Sequence, residues 1–334
     1  MRVLIVKLSS LGDVVQTLPV VHDLLQNIDR VAVDWVVEEA FAPLLGEVLG
    51  VERILPIALR RWRQRLFSAD TQRERRTFQA QIRREPYDAV IDCQGLVKSA
   101  LVARQARLAP GGHRYTYANR SELCGYEWPV RFMVDRPVAM ERRVHAVRRY
   151  RLLAARALGY AIDAAPARVD WRFPPPPQEG LEKRDVMLAH GTTRSDNEWP
   201  EAAWAVIGHR LVAAGFRVVL PQAGPAEAKR VRRLAAAIGA GVELLPPMKL
   251  DALALRMAAC GGVLGVDSGL SHLAVALDRC HVQIFSQPRV WRAGPIGCAH
   301  QLSVGGDAAP TADAVWAAWL QVWAVRPMAG SGAR

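Results

Sequence analysis

No apolar run in the sequence reaches the ~18 residues that a membrane-spanning helix needs, although 51% of its 334 residues are hydrophobic. Cysteine is scarce. The five present (Cys93, Cys124, Cys260, Cys280, Cys298) are an odd set with no C-x-x-C pair, which excludes a disulfide framework and a zinc site of that type and predicts reduced, mostly buried thiols. Acidic residues are the other deficit: 32 Asp and Glu against 44 Lys and Arg leave a net charge of +12. That imbalance asks for an anionic partner, whether nucleic acid, an acidic membrane surface or a phosphorylated substrate. A recognised nucleic-acid-binding module is missing, which weighs against a basic nucleic-acid-binding protein. Neither G-x-G-x-x-G nor G-x-x-x-x-G-K-[ST] occurs, so the standard dinucleotide and P-loop fingerprints are excluded. A signal peptide is not expected either, because the apolar run Val3–Val6 is closed at once by Lys7 and reads as a first strand; the expected location is the cytoplasm.

What is present is a regular alternation of short apolar runs with amphipathic stretches, in a chain long enough for two cores. Strands are predicted at Arg2–Val6, Val31–Val37 and Asp88–Asp92. After the first, Ser9-Ser10-Leu11-Gly12-Asp13 opens a helix whose apolar face is Val14, Leu18, Val21 and Leu25. Asp13 is either a carboxylate that suits a helix start or a general base above the carboxyl edge of a sheet. From Glu52 to Glu85 there are ten Arg against four acidic residues, with Trp62 embedded among Arg60, Arg61, Arg63 and Arg65. This is a solvated charged face or an oxyanion-binding groove. Lys98, Arg120 and the pair Arg142-Arg143 extend the basic character.

Four prolines, Pro174–Pro177, predict an extended connector between residues 1–173 and a second domain over 174–325, with 326–334 a frayed Gly/Ala-rich tail. In the second half, strands are predicted at Val186–Ala189, Phe216–Leu220 and Val242–Leu245, with a helix over Glu227–Ile238, so a second Rossmann-like domain is expected without a sequence repeat. The stretch from Gly261 to Leu277 organises it: a buried strand Val263–Val266, a tight turn, and a helix from about Ser271 to Leu277. Asp267 and Ser268 are placed to cap that helix, Gly269 to admit close backbone approach, and His272 to add a donor, which together make an anion site. Trp316, Trp319 and Trp323 recur at helical spacing over Thr311–Val325. Core packing is expected there, with an interfacial membrane contact or packing back on the first domain as the alternatives.

Taken together, Ser9-Ser10-Leu11-Gly12-Asp13, Asp34-Trp35-Val36-Val37-Glu38-Glu39, Arg60-Arg61-Trp62-Arg63, Asp88-Ala89-Val90-Ile91-Asp92 with Gln94-Gly95-Leu96-Val97-Lys98-Ser99, and Asp267-Ser268-Gly269-Leu270-Ser271-His272-Leu273 resemble the bacterial lipopolysaccharide heptosyltransferases of glycosyltransferase family 9. The resemblance runs to about Trp323. It implies an α/β GT-B fold, with two Rossmann-like doubly wound domains facing a cleft, and inverting transfer of L-glycero-D-manno-heptose from ADP-heptose to the first Kdo of Kdo-lipid A. No metal and no cofactor are implied, and the enzyme would work at the cytoplasmic face of the inner membrane. An enzyme of the same family adding a later core heptose is the alternative; the Arg60–Arg65 segment favours the carboxylate-bearing Kdo. By position, Asp13 is similar to the family's general base. Arg60, Arg63 and Arg120, with Lys98, match the side that grips the anionic acceptor. Thr192, Thr193, Ser268, Gly269 and His272 match residues around the donor diphosphate, Asp267 the heptose contact, and Glu227 and Met248 the ribose and adenine contacts. Two departures stand out. Asn197 sits where the family has a diphosphate-binding lysine, so Arg194 is expected to compensate. Phe285-Ser286-Gln287-Pro288 replaces a Tyr-Gly-Pro-Thr-like loop.

Overall fold

The computed structural model describes residues 1–163, 165–173 and 184–326. The expected Pro174–Pro177 connector and all but Arg326 of the expected tail lie outside the described residues. The chain forms two compact units, Met1–Arg172 and Phe173–Arg334.

The first unit carries β1 (Arg2–Val6), β2 (Ala32–Glu38), β3 (Val51–Ile57), β4 (Tyr87–Asp92), β5 (Leu108–Tyr117) and β6 (Arg136–Val138) in the order β3-β2-β1-β4-β5-β6. Every pairing is parallel. Parallel pairing forces crossovers, and the helices of those crossovers bury the sheet, which is why β1 and β4 read as continuous apolar runs. Leu4, Val6, Val36, Val90, Phe78 and Ile82 form part of one core. Within the sheet, the fully buried Asp34 carboxylate is met by Arg2, Arg53 and the Tyr87 hydroxyl, so a charge that burial would penalise is paired on every side. The segment before residue 173 belongs to this unit because it is tied down: Leu49 N donates to Asp170 O at 2.8 Å, Arg172 N to Glu47 O at 2.7 Å, and His22 Nδ1 lies 2.6 Å from the Asp170 carboxylate.

The second unit carries β7 (Asp185–Ala189), β8 (Arg217–Leu220), β9 (Val242–Leu244), β10 (Gly262–Val266), β11 (Cys280–Phe285) and β12 (Gln301–Gly305), ordered β12-β11-β10-β7-β8-β9 and again all parallel. Counted from its own first strand, this is the strand order of the first unit. Each sheet therefore reverses direction of winding between its first and fourth strands, and ligands of such sheets bind at the carboxyl ends of those two strands. The helix Ala312–Ala324 packs on β11, β12 and the helix Glu201–Ala213. Trp319 is fully buried in the second unit's core, while Trp316 and Trp323 lie against it. Trp323 stacks on Trp319 at 5.3 Å and meets Phe216 edge-on at 4.9 Å. Its tryptophans thus serve packing within this unit. All five cysteines are unbridged and four are buried, Cys298 being half-buried. Among the described residues no helix is long and apolar enough to cross a membrane.

Candidate active site

At the carboxyl end of β1 the chain turns through Lys7–Ser10 into the helix Leu11–Thr17. Asp13, the third residue of that helix, reaches back to Ser10: its Oδ2 accepts from the Ser10 amide at 3.2 Å and the Ser10 hydroxyl at 3.1 Å. Its other oxygen accepts from the Tyr150 hydroxyl at 2.8 Å. Both oxygens are thus oriented, yet the side chain keeps 27% of its exposure, so it is held and still reachable. Behind it, the buried Lys7 ammonium donates to Tyr150 Oη at 3.1 Å and Cys93 O at 3.2 Å, 3.9 Å from the Asp13 carboxylate. Burial pushes Lys7 below the usual lysine range, and the Asp13 charge opposes that shift.

The loop is clamped from the carboxyl end of β4. Gln94 Oε1 accepts from the Leu8 and Ser9 amides, both at 3.2 Å. Asp92 holds the turn that presents Gln94, accepting from Gln94 N at 2.9 Å, Gly95 N at 3.3 Å and Ser99 Oγ at 2.9 Å. Burial raises the Asp92 carboxyl to about 6 despite those donors. Gly95 is required in this turn, since its φ is +72° and an added Cβ would stand 2.9 Å from the Tyr117 ring. Arg60 and Arg63 follow β3, Lys98 follows β4 and Arg120 follows β5, all four exposed. The structure therefore places Asp13 and these cations on the carboxyl edge of the first sheet, in the connections after β1, β3, β4 and β5. The Arg60 amide donates to Glu38 Oε1 at the end of β2 at 2.9 Å, which fixes where the arginine segment leaves the sheet.

In the second unit the equivalent edge is built by the loops after β7 and β10. Their strands approach so closely that a Cβ at Gly265 would meet Ser271 Oγ at 2.3 Å and Ala189 Cβ at 2.8 Å. The helix after β10 starts at Gly269 with Ser268 as its N-cap residue. Here the structure corrects the expected capping. Ser268 makes no side-chain cap bond, and its buried hydroxyl has no hydrogen-bond partner; the Asp267 carboxylate is engaged by side chains instead. It accepts from Asn197 Nδ2 at 3.1 Å and Gln283 Nε2 at 3.3 Å, and lies 3.5 Å from His272 Nε2. Burial works to raise the Asp267 carboxyl, but the His272 bond and the charges of His272, Arg292 and Arg289 outweigh it and hold it below its ordinary value. The first-turn amides are left without a side-chain cap, as an anion site needs, with the buried Ser268 hydroxyl unpartnered beside them.

Glu227, from the helix Pro225–Ile238, accepts from Ala223 N at 2.6 Å, and its Oε1 would lie 2.7 Å from a Cβ at Gly191. Glycine at 191 is what lets this carboxylate come up beside Thr192 and Thr193. Met248 lies on the loop after β9 and is 37% exposed. Asn197 is buried and its amide is spent inside the protein: Nδ2 donates to Asp267 O at 2.9 Å as well as to the carboxylate, and Oδ1 accepts from Arg289 Nη1 at 2.8 Å. Arg194, expected to compensate, lies in the same loop after β7. Its guanidinium is 57% exposed and paired with Asp196. The cation that reaches Asn197 is Arg289, 14% exposed, which also donates to Asp196 Oδ2 at 2.7 Å. Sequence reasoning missed Arg289, although it directly follows the unusual Phe285–Pro288 stretch that marked the loop.

A family model, glycosyltransferase family 9 (heptosyltransferase), matches residues 75–313. The chain belongs to this family. This glycosyltransferase is 41% identical to lipopolysaccharide heptosyltransferase 1 of Escherichia coli strain K12, over 85% of its own length and 88% of the relative's. Its structure is similar to that of E. coli heptosyltransferase WaaC with ADP, with a TM-score of 0.82 and 37% identity, covering 95% of this chain and 98% of that one. The WaaC structure with ADP-2-deoxy-2-fluoro heptose gives a TM-score of 0.79 at 36% identity over the same shares. The two parallel sheets are the two Rossmann-like domains of the GT-B fold.

Proposed function

We propose that this glycosyltransferase moves L-glycero-D-manno-heptose from ADP-heptose to the first Kdo of Kdo-lipid A, inverting the anomeric carbon, at the cytoplasmic face of the inner membrane. The observation that carries the mechanism is the state of Asp13: a carboxylate oriented through both oxygens yet open to solvent. Asp13 takes the proton of the acceptor hydroxyl. That oxygen forms the bond to the anomeric carbon while the bond from carbon to the ADP diphosphate breaks, and the electron pair leaves with ADP. Tyr150 and Ser10 fix the base, and Lys7 lies behind Tyr150, 3.9 Å from the carboxylate.

The negative charge that grows on the leaving diphosphate falls to the Gly269 helix start, with Ser268, His272, Thr192 and Thr193 as donors. Asp267 faces the heptose, Glu227 the ribose and Met248 the adenine. Arg60, Arg63, Arg120 and Lys98 meet the carboxylate and phosphates of the acceptor, for which bidentate guanidinium contacts are suited. Incubation with ADP-heptose and deacylated Kdo₂–lipid A, followed by mass spectrometry, tests this. One heptose added to the acceptor and one ADP released per turnover is the expected result. Hydrolysis of the donor without transfer, or transfer only to an acceptor that already bears heptose, overturns it.

A further inference from the structure

The most exposed large hydrophobic residue described is Phe67, at 92%, and its neighbour Leu66 is 47% exposed. They form the tip of the turn between the short helix Leu59–Trp62 and the helix Ala69–Arg83. An apolar pair left in water costs free energy unless something covers it. Two features say what does. Around the tip lie Arg63, Arg65, Arg75 and Arg76, none of them in an ion pair among the described residues; their neighbours Arg61 and Arg73 are paired with Glu39, Glu74 and Asp70. Beneath it runs a groove of about 520 Å³ whose floor includes Trp62, Leu66 and Phe78 and whose rim is Arg63, Arg75 and Arg76.

The same pairing of exposed aromatics with arginine recurs once more in the first unit, where Trp128 and Phe132 are 68% and 69% exposed and Arg131 lies 5.1 Å over the Phe132 ring. Among the described residues, every exposed large aromatic side chain is in the first unit. That unit also holds 28 Lys and Arg against 19 Asp and Glu, a net charge of +9 out of the chain's +12. A basic surface with an apolar tip is the complement of an anionic bilayer, which offers phosphate to the guanidinium groups and hydrocarbon to the ring just below.

We propose that Leu66-Phe67, with Arg75 and Arg76, is a docking surface for an anionic phospholipid bilayer: Phe67 enters the headgroup boundary and the arginines bind lipid phosphates. This rests on the reading of the enzyme as one that works on a lipid-borne acceptor and names the surface that brings it there. The surface is distinct in role from the residues assigned to acceptor and donor, since Phe67, Arg75 and Arg76 are not among them.

Flotation of the full-length protein with phosphatidylcholine vesicles, and with vesicles that also contain phosphatidylglycerol, tests the proposal. The wild type is expected on the anionic vesicles only, with binding weakened by salt. Phe67→Ser should weaken it roughly tenfold, and the Arg75→Ala/Arg76→Ala pair roughly twenty-fivefold at about fivefold per arginine. An indole placed by Phe67→Trp should be quenched by brominated acyl chains beyond the wild-type background. Turnover of a deacylated, water-soluble acceptor should be unchanged in all of these variants, and this assay reports on the proposed reaction separately from docking. Wild-type binding in Phe67→Ser, absence of extra quenching in Phe67→Trp, or equal loss of soluble-acceptor turnover would each overturn the docking surface. So would tighter binding of a DNA oligonucleotide with the same dependence on Phe67.

Discussion

Asp92 and Arg289 are single side chains that hold the loops of the proposed site from behind. With its carboxyl at about 6, Asp92 binds a proton more tightly in the folded state than in the unfolded chain. Between roughly pH 4 and 6 the native state then carries the extra proton, so this group's contribution to stability falls as pH rises through that window, by on the order of 3 kcal/mol in all. Asp92→Asn removes the slope. Urea denaturation of both proteins at acid and neutral pH should show the wild type losing ground to the variant as pH rises; a constant difference would mean that Asp92 ionises normally. Arg289, held 14% exposed by Asp196 and Asn197, is a cation anchored on the loop after β7, one of those proposed to hold the diphosphate. Arg289→Ala should lower kcat by about 10²–10³-fold, the usual effect of losing one such donor, and Arg194→Ala by much less because its partner is a neighbouring exposed carboxylate. Steady-state kinetics with ADP-heptose decide; the reverse order would restore Arg194 as the compensating residue. Asp13 and the Ser268–His272 block were legible because they sit in local strand-turn-helix patterns. Arg289 was not, because its meaning lies in hydrogen bonds to residues about ninety positions away.

At the scale of elements, the strands that sequence reading found, β1, β2, β4, β7, β8, β9 and β10, are short and mostly apolar, with single acidic residues inside β2, β4 and β9. Those it passed over depart from that pattern for identifiable reasons. β11 buries His281 and Gln283: His281 Nδ1 lies 2.9 Å from Val263 O, and Gln283 donates to Asp267, so each polar residue finds one partner in the core, while His281 Nε2 and Gln283 Oε1 stay unpaired. In β5 a proline and two glycines mask the strand signal. β7, β10 and the following helix meet closely at the donor side. Gly265→Ala would force a methyl onto Ser271 Oγ and Ala189 Cβ and should cost about 1–3 kcal/mol, as overpacking does, with ADP affinity falling as the helix start is displaced. Thermal denaturation and calorimetric titration with ADP measure both; an unchanged melting temperature would show that the junction yields.

Over the whole molecule, two sheets with one strand order come from halves with no convincing sequence repeat. Layering, parallel pairing and right-handed crossovers limit such sheets to a few strand orders, and many sequences satisfy them. The fold thus guarantees two carboxyl edges, and this chain's residues decide what each edge does: a held carboxylate among arginines on the first, an uncapped helix start on the second. The most direct test of that division is transfer by Asp13→Asn. Mass spectrometry with ADP-heptose and deacylated Kdo₂–lipid A should show heptose transfer slowed by about 10²–10⁴-fold relative to wild type, while ADP binding by titration calorimetry stays unchanged. A variant retaining more than about a tenth of wild-type kcat, against the 10²–10⁴-fold contribution of a general base, would contradict the account and leave Asp13 as a carboxylate that only opens a helix.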